Sequence, residues 1–181
     1  MYYVNTSMKY CFEGPTRGEK PLTSTSTHSI EMERPTPFTK INHIKLAAKD
    51  IRRTQSFYAE ILGCIYIPEY DHKTAEDELF ASMVKLQHEG KDFIIEIRHN
   101  EQQAKVQEGW DPITWGVPAH KDLDIWEAWF GEHGVKSSQV FTAIKGWVLC
   151  ALDPDGKIVR IYCDEEHEWT TNFDHDEFWL A

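Results

Sequence analysis

Residues 43–63 read HIKLAAKDIRRTQSFYAEILG, and residues 112–134 read PITWGVPAHKDLDIWEAWFGEHG. The second stretch nearly repeats the first. Lys49-Asp50-Ile51 returns as Lys121-Asp122-Leu123 and Phe57-Tyr58 returns as Trp129-Phe130, each pair 72 residues apart. In both copies a strand-like run leads into an amphipathic helix. A unit used twice at a fixed offset constrains the fold more than any single motif does. It also directs attention to the junction between the copies as the place for a site.

The local pattern fills in each copy. Residues 41–46 alternate as a strand, Asp50 is placed as the N-cap of a helix reaching Leu62, and Gly63 ends it. Residues 64–70, 79–87 and 93–98 then read as three strands, the last two joined at a glycine turn. Residues 101–108 form a polar helical connector. The second copy predicts a strand at 113–117, a helix at 121–133, and strands at 135–143, 147–152 and 157–163, with a tight turn at Asp153-Pro154-Asp155-Gly156. The expected body, residues 39–163, is thus two βαβββ modules, 39–100 and 111–163, an α+β fold with a cupped mixed sheet.

Outside the body, residues 1–38 carry Pro15, Pro21, Pro35 and Pro37 among polar residues with no apolar period, and read as a flexible arm. Tyr2, Tyr3, Tyr10 and Phe12 are candidate anchors for it. Residues 164–181 form an acidic tail with Trp169, Phe173, Phe178 and Trp179 interleaved, a pattern suited to docking on the body or across a dimer interface. The net charge of −11 argues against nucleic acid and anionic membrane as partners. No run is long enough for a transmembrane helix, and the first residues lack the pattern of a secretory signal. Cys11, Cys64, Cys150 and Cys163 show no CxxC spacing, so reduced cysteines and a cytoplasmic location are expected.

The opening His43-Ile44-Lys45-Leu46, the helix with Phe57-Tyr58 and Leu62-Gly63, and the closing Asp153-Pro154-Asp155-Gly156 with Ile161-Tyr162 resemble the vicinal oxygen chelate superfamily. That superfamily includes glyoxalase I, extradiol dioxygenases and bleomycin-resistance proteins, and the resemblance spans about residues 40–163. It implies the paired-module fold but not a reaction, because the fold hosts lyases, dioxygenases, epimerases, isomerases and sequestering proteins. Metal-binding members take ligands from four positions. By resemblance the first and second fall on His43 and Glu96. The third falls on Pro112 if Val117 is matched to Ala48 with an insertion at 118–120, or on Trp115 without the gap. The fourth falls on Arg160. Neither Pro112 nor Trp115 ligates a metal, and arginine stays protonated. No metal and no cofactor are therefore expected.

Strand parity places His43, Glu96 and Arg160 in the cup, as a general acid/base pair with a cationic partner that suits a carboxylate or enolate. The alternative is a relic ion pair between Glu96 and Arg160. Lys45, Arg98, Thr114 and Tyr162 share those faces and are candidate substrate contacts. Trp110, Trp115 and Trp147 are candidates for a flat aromatic pocket, and Trp126 and Trp129 share a helix face expected in the core. His72, His88, His167 and His175 sit in polar segments and read as solvated. The leading expectation is a metal-independent isomerase, cyclase, epimerase or dehydratase of secondary-metabolite biosynthesis, acting as a homodimer on a small aromatic, polycyclic or enolisable compound. Sequestration of an aromatic small molecule is the alternative, and a metal-dependent lyase or dioxygenase with atypical ligands comes third.

Overall fold

The computed structural model describes residues 40–169. The arm with Cys11 and its aromatic residues, and the tail residues Phe173, His175, Phe178 and Trp179, lie outside the described residues. The first module runs β1 (Ile44–Ala48), α1 (Ile51–Ser56, continued by a π-helical turn Phe57–Ile61), β2 (Ile65–Tyr66), β3 (His72–Lys73), β4 (Leu79–His88) and β5 (Lys91–His99). After α2 (Glu101–Val106) the second module runs β6 (Thr114–Val117), α3 (His120–Glu132), β7 (Phe141–Thr142), β8 (Trp147–Leu152) and β9 (Ile158–Cys163). One sheet has the order β1-β5-β4-β2 with β3 also on β4, and the other has the order β6-β9-β8-β7. β1 and β6 are each parallel to the last strand of their module. This is the expected pair of βαβββ units.

Three predicted strands are shorter than their composition suggests. The run 64–70 keeps only Ile65–Tyr66, because Pro68 lacks an N–H and opens a 3-10 turn to Tyr70. The run 135–143 keeps only Phe141–Thr142 and a single bridge from Ser137 to Ala151. The third, β1, starts at Ile44 rather than 41. Helix α1 begins as expected, with the Asp50 carboxylate accepting from the Arg53 N–H at 3.0 Å, and Gly63 ends the helical segment at φ +72°.

The two modules correspond at a different offset from the sequence repeat. The Asn100 N–H bonds the Ala48 carbonyl at the end of β1, and the Asp164 N–H bonds the Val117 carbonyl at the end of β6. Lys45 is in register with Glu96 and Thr114 with Arg160. Ala48 therefore matches Val117, and the N-cap Asp50 matches the N-cap Ala119 with no insertion between strand and helix. The 72-residue match was three residues too long. Amphipathic helices repeat every 3.6 residues, so a slip of about one turn preserves the apolar pattern.

Both sheets turn one face to a single core. Leu46, Ala48, Val84, Ile95 and Ile97 of the first sheet join Leu149, Ala151, Val159 and Ile161 of the second, with Tyr58, Leu123 and Phe130 from the helices. Burial of each Val, Leu, Ile or Phe among them contributes roughly 1.5–3 kcal/mol. Trp129 departs from its expected core position. It lies partly exposed at the rim, where its Nε1–H donates to the Ile61 carbonyl at 3.0 Å.

A buried polar clasp joins the modules. Lys157 is fully buried. Its ammonium donates to the Ala47 carbonyl at 2.9 Å and contacts Asp153 Oδ2 at 3.1 Å and Asp155 Oδ2 at 3.3 Å. Asp155 in turn accepts from the Lys49 N–H at 3.0 Å and from the Thr54 hydroxyl at 2.8 Å. The turn expected at 153–156 is therefore an anchor for the end of β1 and the start of α1. Burial pushes the Asp155 carboxyl up, but the Lys49 N–H, the Thr54 hydroxyl and the Lys157 ammonium outweigh it and hold the group below its ordinary value. Burial dominates at Asp153 and raises it.

Cys64, Cys150 and Cys163 are buried. Burial pushes the Cys64 thiol up to about 11, which leaves almost no thiolate at neutral pH. Iodoacetamide is expected to leave these three cysteines unmodified in the native protein and to alkylate them in urea, as read by peptide mass spectrometry. Rapid native labelling of Cys64 would contradict this packing.

Candidate functional site

Side chains alternate across a strand, so the residues between the core positions point to the outer face of each sheet. On β5 the core takes Ile95 and Ile97 and leaves Glu96 and Arg98 outward. On β1 Lys45 lies beside Glu96. His43 precedes β1 and reaches the same carboxylate. The structure thus brings together four of the expected residues: Glu96 Oε2 lies 3.2 Å from His43 Nε2 and 3.3 Å from Lys45 Nζ, and Oε1 lies 3.4 Å from Arg98 Nη1.

The surroundings of Glu96 are unusual for an ion cluster. Its side chain is 3% exposed, while those of His43, Lys45 and Arg98 are 26%, 53% and 44% exposed. Oε1 is buried and accepts no hydrogen bond from the described residues. A buried charge is normally both paired and hydrogen-bonded, because desolvation costs several kcal/mol per ion. Here charge is supplied and hydrogen bonding is incomplete. His43 Nδ1 faces Asn42 Oδ1 at 2.8 Å while Nε2 faces Glu96. A neutral imidazole has one N–H for those two oxygens. One ring nitrogen thus faces the buried carboxylate and the other faces the Asn42 amide oxygen. A cleft of about 140 Å³ opens beside the cluster, lined by Lys45, Arg98, Asn100, Gln103 and Gln107.

Arg160 stands apart from this group. It occupies the place in β9 that Glu96 occupies in β5, on the outer face of the second sheet, and its Nε donates to Asp111 Oδ2. The expected alternative pairing of Arg160 with Glu96 gives way to Asp111, which comes from the segment just before β6 and so reaches Arg160 within its own module. Asp111 was not among the residues singled out. Tyr162 shares this face, and its ring lies so close to Gly146 that a Cβ there would meet Cε1 at 2.9 Å. Thr114 is exposed on β6.

The three tryptophans offered as one aromatic pocket separate. Trp115 faces the core side and lines a cavity of about 350 Å³ with Leu86, Phe93 and Trp126. Trp147 is flanked edge-on by the rings of His120 at 4.6 Å and His167 at 4.9 Å. Trp110 is exposed. His167 is not simply solvated: its ring nitrogens contact the Glu168 and Gly146 carbonyls at 2.6 and 3.1 Å. The cavity residues Leu86, Phe93 and Trp126 had a readable signal, since they share strand or helix faces with the core, but nothing in the pattern marks a gap in packing.

The match of Ala48 with Val117 puts His43 opposite Pro112, so Pro112 rather than Trp115 holds the third position. Pro112 has no donor group, Arg160 holds the fourth position beside Asp111, and Glu96 is already faced by the cations of Lys45 and Arg98. These residues do not fit a divalent ion.

Comparison with known proteins agrees with this architecture. Solved structures with the same fold include a glyoxylase/bleomycin resistance protein/dioxygenase domain from Frankia sp., 17% identical, with TM-score 0.52 over 73% of this chain and 95% of that one. Lactoylglutathione lyase from Agrobacterium tumefaciens is 13% identical, with TM-score 0.53 over 71% of this chain and 96% of the other. The fosfomycin resistance protein FosX from Listeria monocytogenes is 16% identical, with TM-score 0.54 over 70% and 94%. These identities establish the fold alone. A search of curated proteins finds no match. Among the described residues no helix is long and apolar enough to cross a membrane. The sequence profile of the Glyoxalase/Bleomycin resistance protein/Dioxygenase superfamily matches residues 40–161, and with two βαβββ modules in the matching order the chain belongs to that superfamily.

Proposed function

We propose that the chain is a metal-independent enzyme of secondary-metabolite biosynthesis, an isomerase, cyclase, epimerase or dehydratase that moves a proton on a small enolisable aromatic or polycyclic compound. The observation that carries this reading is Glu96: a buried carboxylate with one oxygen lacking a hydrogen bond, a histidine at 3.2 Å and two cations at its rim. The carboxylate takes a proton from a carbon beside a carbonyl. The released electron pair moves onto the carbonyl oxygen, and Lys45 and Arg98 stabilise the enolate. Return of the proton from the His43–Glu96 pair to another atom of the enolate completes an isomerisation, and its return to the opposite face of the same carbon, after the planar enolate turns over in the site, completes an epimerisation. The test is Glu96→Gln, with turnover and ligand affinity measured separately on a substrate found by screening enolisable ketones.

Sequestration of an aromatic compound is the second reading. The 350 Å³ cavity favours it, because aromatic and aliphatic side chains line most of that space, with Thr114, and no ionisable one does. A metal-dependent lyase or dioxygenase is the weakest reading, given Pro112 and Arg160 at ligand positions.

We also propose a homodimer. The resemblance implies modules paired within or between chains, and within one chain the Glu96 and Arg160 clusters occupy outer faces of different sheets. A second copy that brings its Arg160 face over the Glu96 face completes a cup with base and cation together, which gives Arg160 its expected role. Light scattering at high micromolar concentration is expected to give twice the 21.1 kDa chain mass. A monomer mass would remove both the dimer and this role for Arg160.

A further inference from the structure

One edge of β6 has no strand partner among the described residues. Backbone groups point alternately to the two edges of a strand. Val117 turns its carbonyl to β9, where it accepts from the Asp164 N–H. Gly116 therefore turns its N–H and C=O to the other edge, where no described strand pairs with β6. The first module shows what such a pair requires. Ala47 holds the matching place in β1. Its N–H donates to Gln107 Oε1 at 3.1 Å, and its carbonyl accepts from Lys157 Nζ at 2.9 Å. One edge is sealed by an acceptor and a donor from the chain itself. The equivalent pair on Gly116 has no such seal among the described residues, and Gly116 is exposed.

Beside this edge lies the cavity of about 350 Å³. Its walls come from Leu86 and Phe93 of the first module and Trp115, Trp126 and Ile161 of the second. Gly116 has no side chain and so lines the cavity through its backbone. The volume suits a small ligand, and the walls combine a broad apolar surface with few polar groups, as ligand sites do. No lining side chain is ionisable, so an ion gains nothing there.

We propose that this cavity binds a neutral, flat, mainly apolar molecule of lactam or cyclic-amide type, whose carbonyl accepts from the Gly116 N–H and whose N–H donates to the Gly116 carbonyl. The ligand supplies what Gln107 and Lys157 supply to Ala47. Two indoles and a phenyl ring take its faces and edges. This site does not depend on the Glu96 reading.

The probe is 2-quinolinone, with N-methyl-2-quinolinone as its control lacking the donor. In ¹⁵N-labelled full-length protein, 2-quinolinone at millimolar concentration is expected to shift the Gly116 amide and the Trp115 and Trp126 indole signals. The N-methyl compound is expected to bind about tenfold more weakly, because it leaves the Gly116 carbonyl without a donor. Gly116→Pro removes the N–H at an edge position that tolerates proline. It should weaken 2-quinolinone binding by a similar factor in protein whose unfolding midpoint is unchanged. Equal binding of the two compounds, no shifts at millimolar probe, or shifts confined to Lys45 and Arg98 would each overturn the proposal, and the first comparison needs no variant. A Gly116 amide protected from exchange in the free protein and exposed on dilution would show a second copy's strand on this edge, which also overturns it.

Discussion

Lys157→Met is expected to destabilise the protein by about 3–5 kcal/mol, the usual cost of removing one partner from a buried ion cluster. At this chain length that lowers the thermal midpoint by roughly 10 °C or more. The reason lies in what remains. Methionine fills the volume but leaves Asp153 and Asp155 buried without their cation and the Ala47 carbonyl without its donor. Because the clasp ties the β8–β9 turn to β1 and α1, the loss also loosens the junction of the modules. Lys73→Met, at the exposed pair with Asp77, is the contrast and should leave the midpoint unchanged. Acid tests the same clasp. The folded Asp155 carboxyl lies below its ordinary value, so its contribution is present above about pH 4 and lost as pH falls through the folded value. Asp153 is raised and acts in the opposite sense: its contribution is present below its unfolded value and lost as pH rises through the folded one. Asp155→Asn should therefore flatten the acid limb of a stability–pH curve. A Lys157→Met variant that unfolds at the wild-type midpoint would show that the clasp is not what holds the modules.

Much of this fold was legible because period and turn chemistry are local. The alternation on β1, β5 and β9 set Glu96, Lys45, Arg98 and Arg160 on the strand faces expected to line a cup, and the Asp50 cap and Gly63 stop bounded the first helix. Pairings were not legible, because they depend on which loops meet. Arg160 went to Asp111 rather than Glu96, since the segment before β6 reaches it inside its own module. The clasp does have a signal in the sequence. Lys157, Val159, Ile161 and Cys163 share one strand face, and three of the four are plainly core residues. A lysine on that face has to find carboxylates, and Asp153 and Asp155 are the ones within a turn of it. The aromatic residues misled in the other direction. Trp110, Trp115 and Trp147 are alike in composition, yet one is exposed, one lines a cavity and one is held between two histidines. Composition reports that aromatic surface exists, and only packing says where.

Glu96→Gln is expected to lower turnover by roughly 10²–10⁴-fold and to leave ligand affinity near normal, the signature of losing a group used in proton transfer. Glutamine preserves the shape and the buried volume but cannot take a proton. It also removes the charge that holds His43, Lys45 and Arg98 together, so those side chains become more mobile while the sheet beneath them stays packed. His43→Ala should cost a similar factor if the two share the proton, and the double variant should then cost little more than either single one, because groups that act as a unit are not additive. Lys45→Ala and Arg98→Ala should behave differently. Each removes a cation that faces the developing enolate and the bound ligand alike, so affinity for anionic or enolisable ligands falls along with turnover. Full activity in both Glu96→Gln and His43→Ala would remove the acid/base assignment while leaving the fold intact. The chain would then be better read as a protein that binds its aromatic ligand without transforming it.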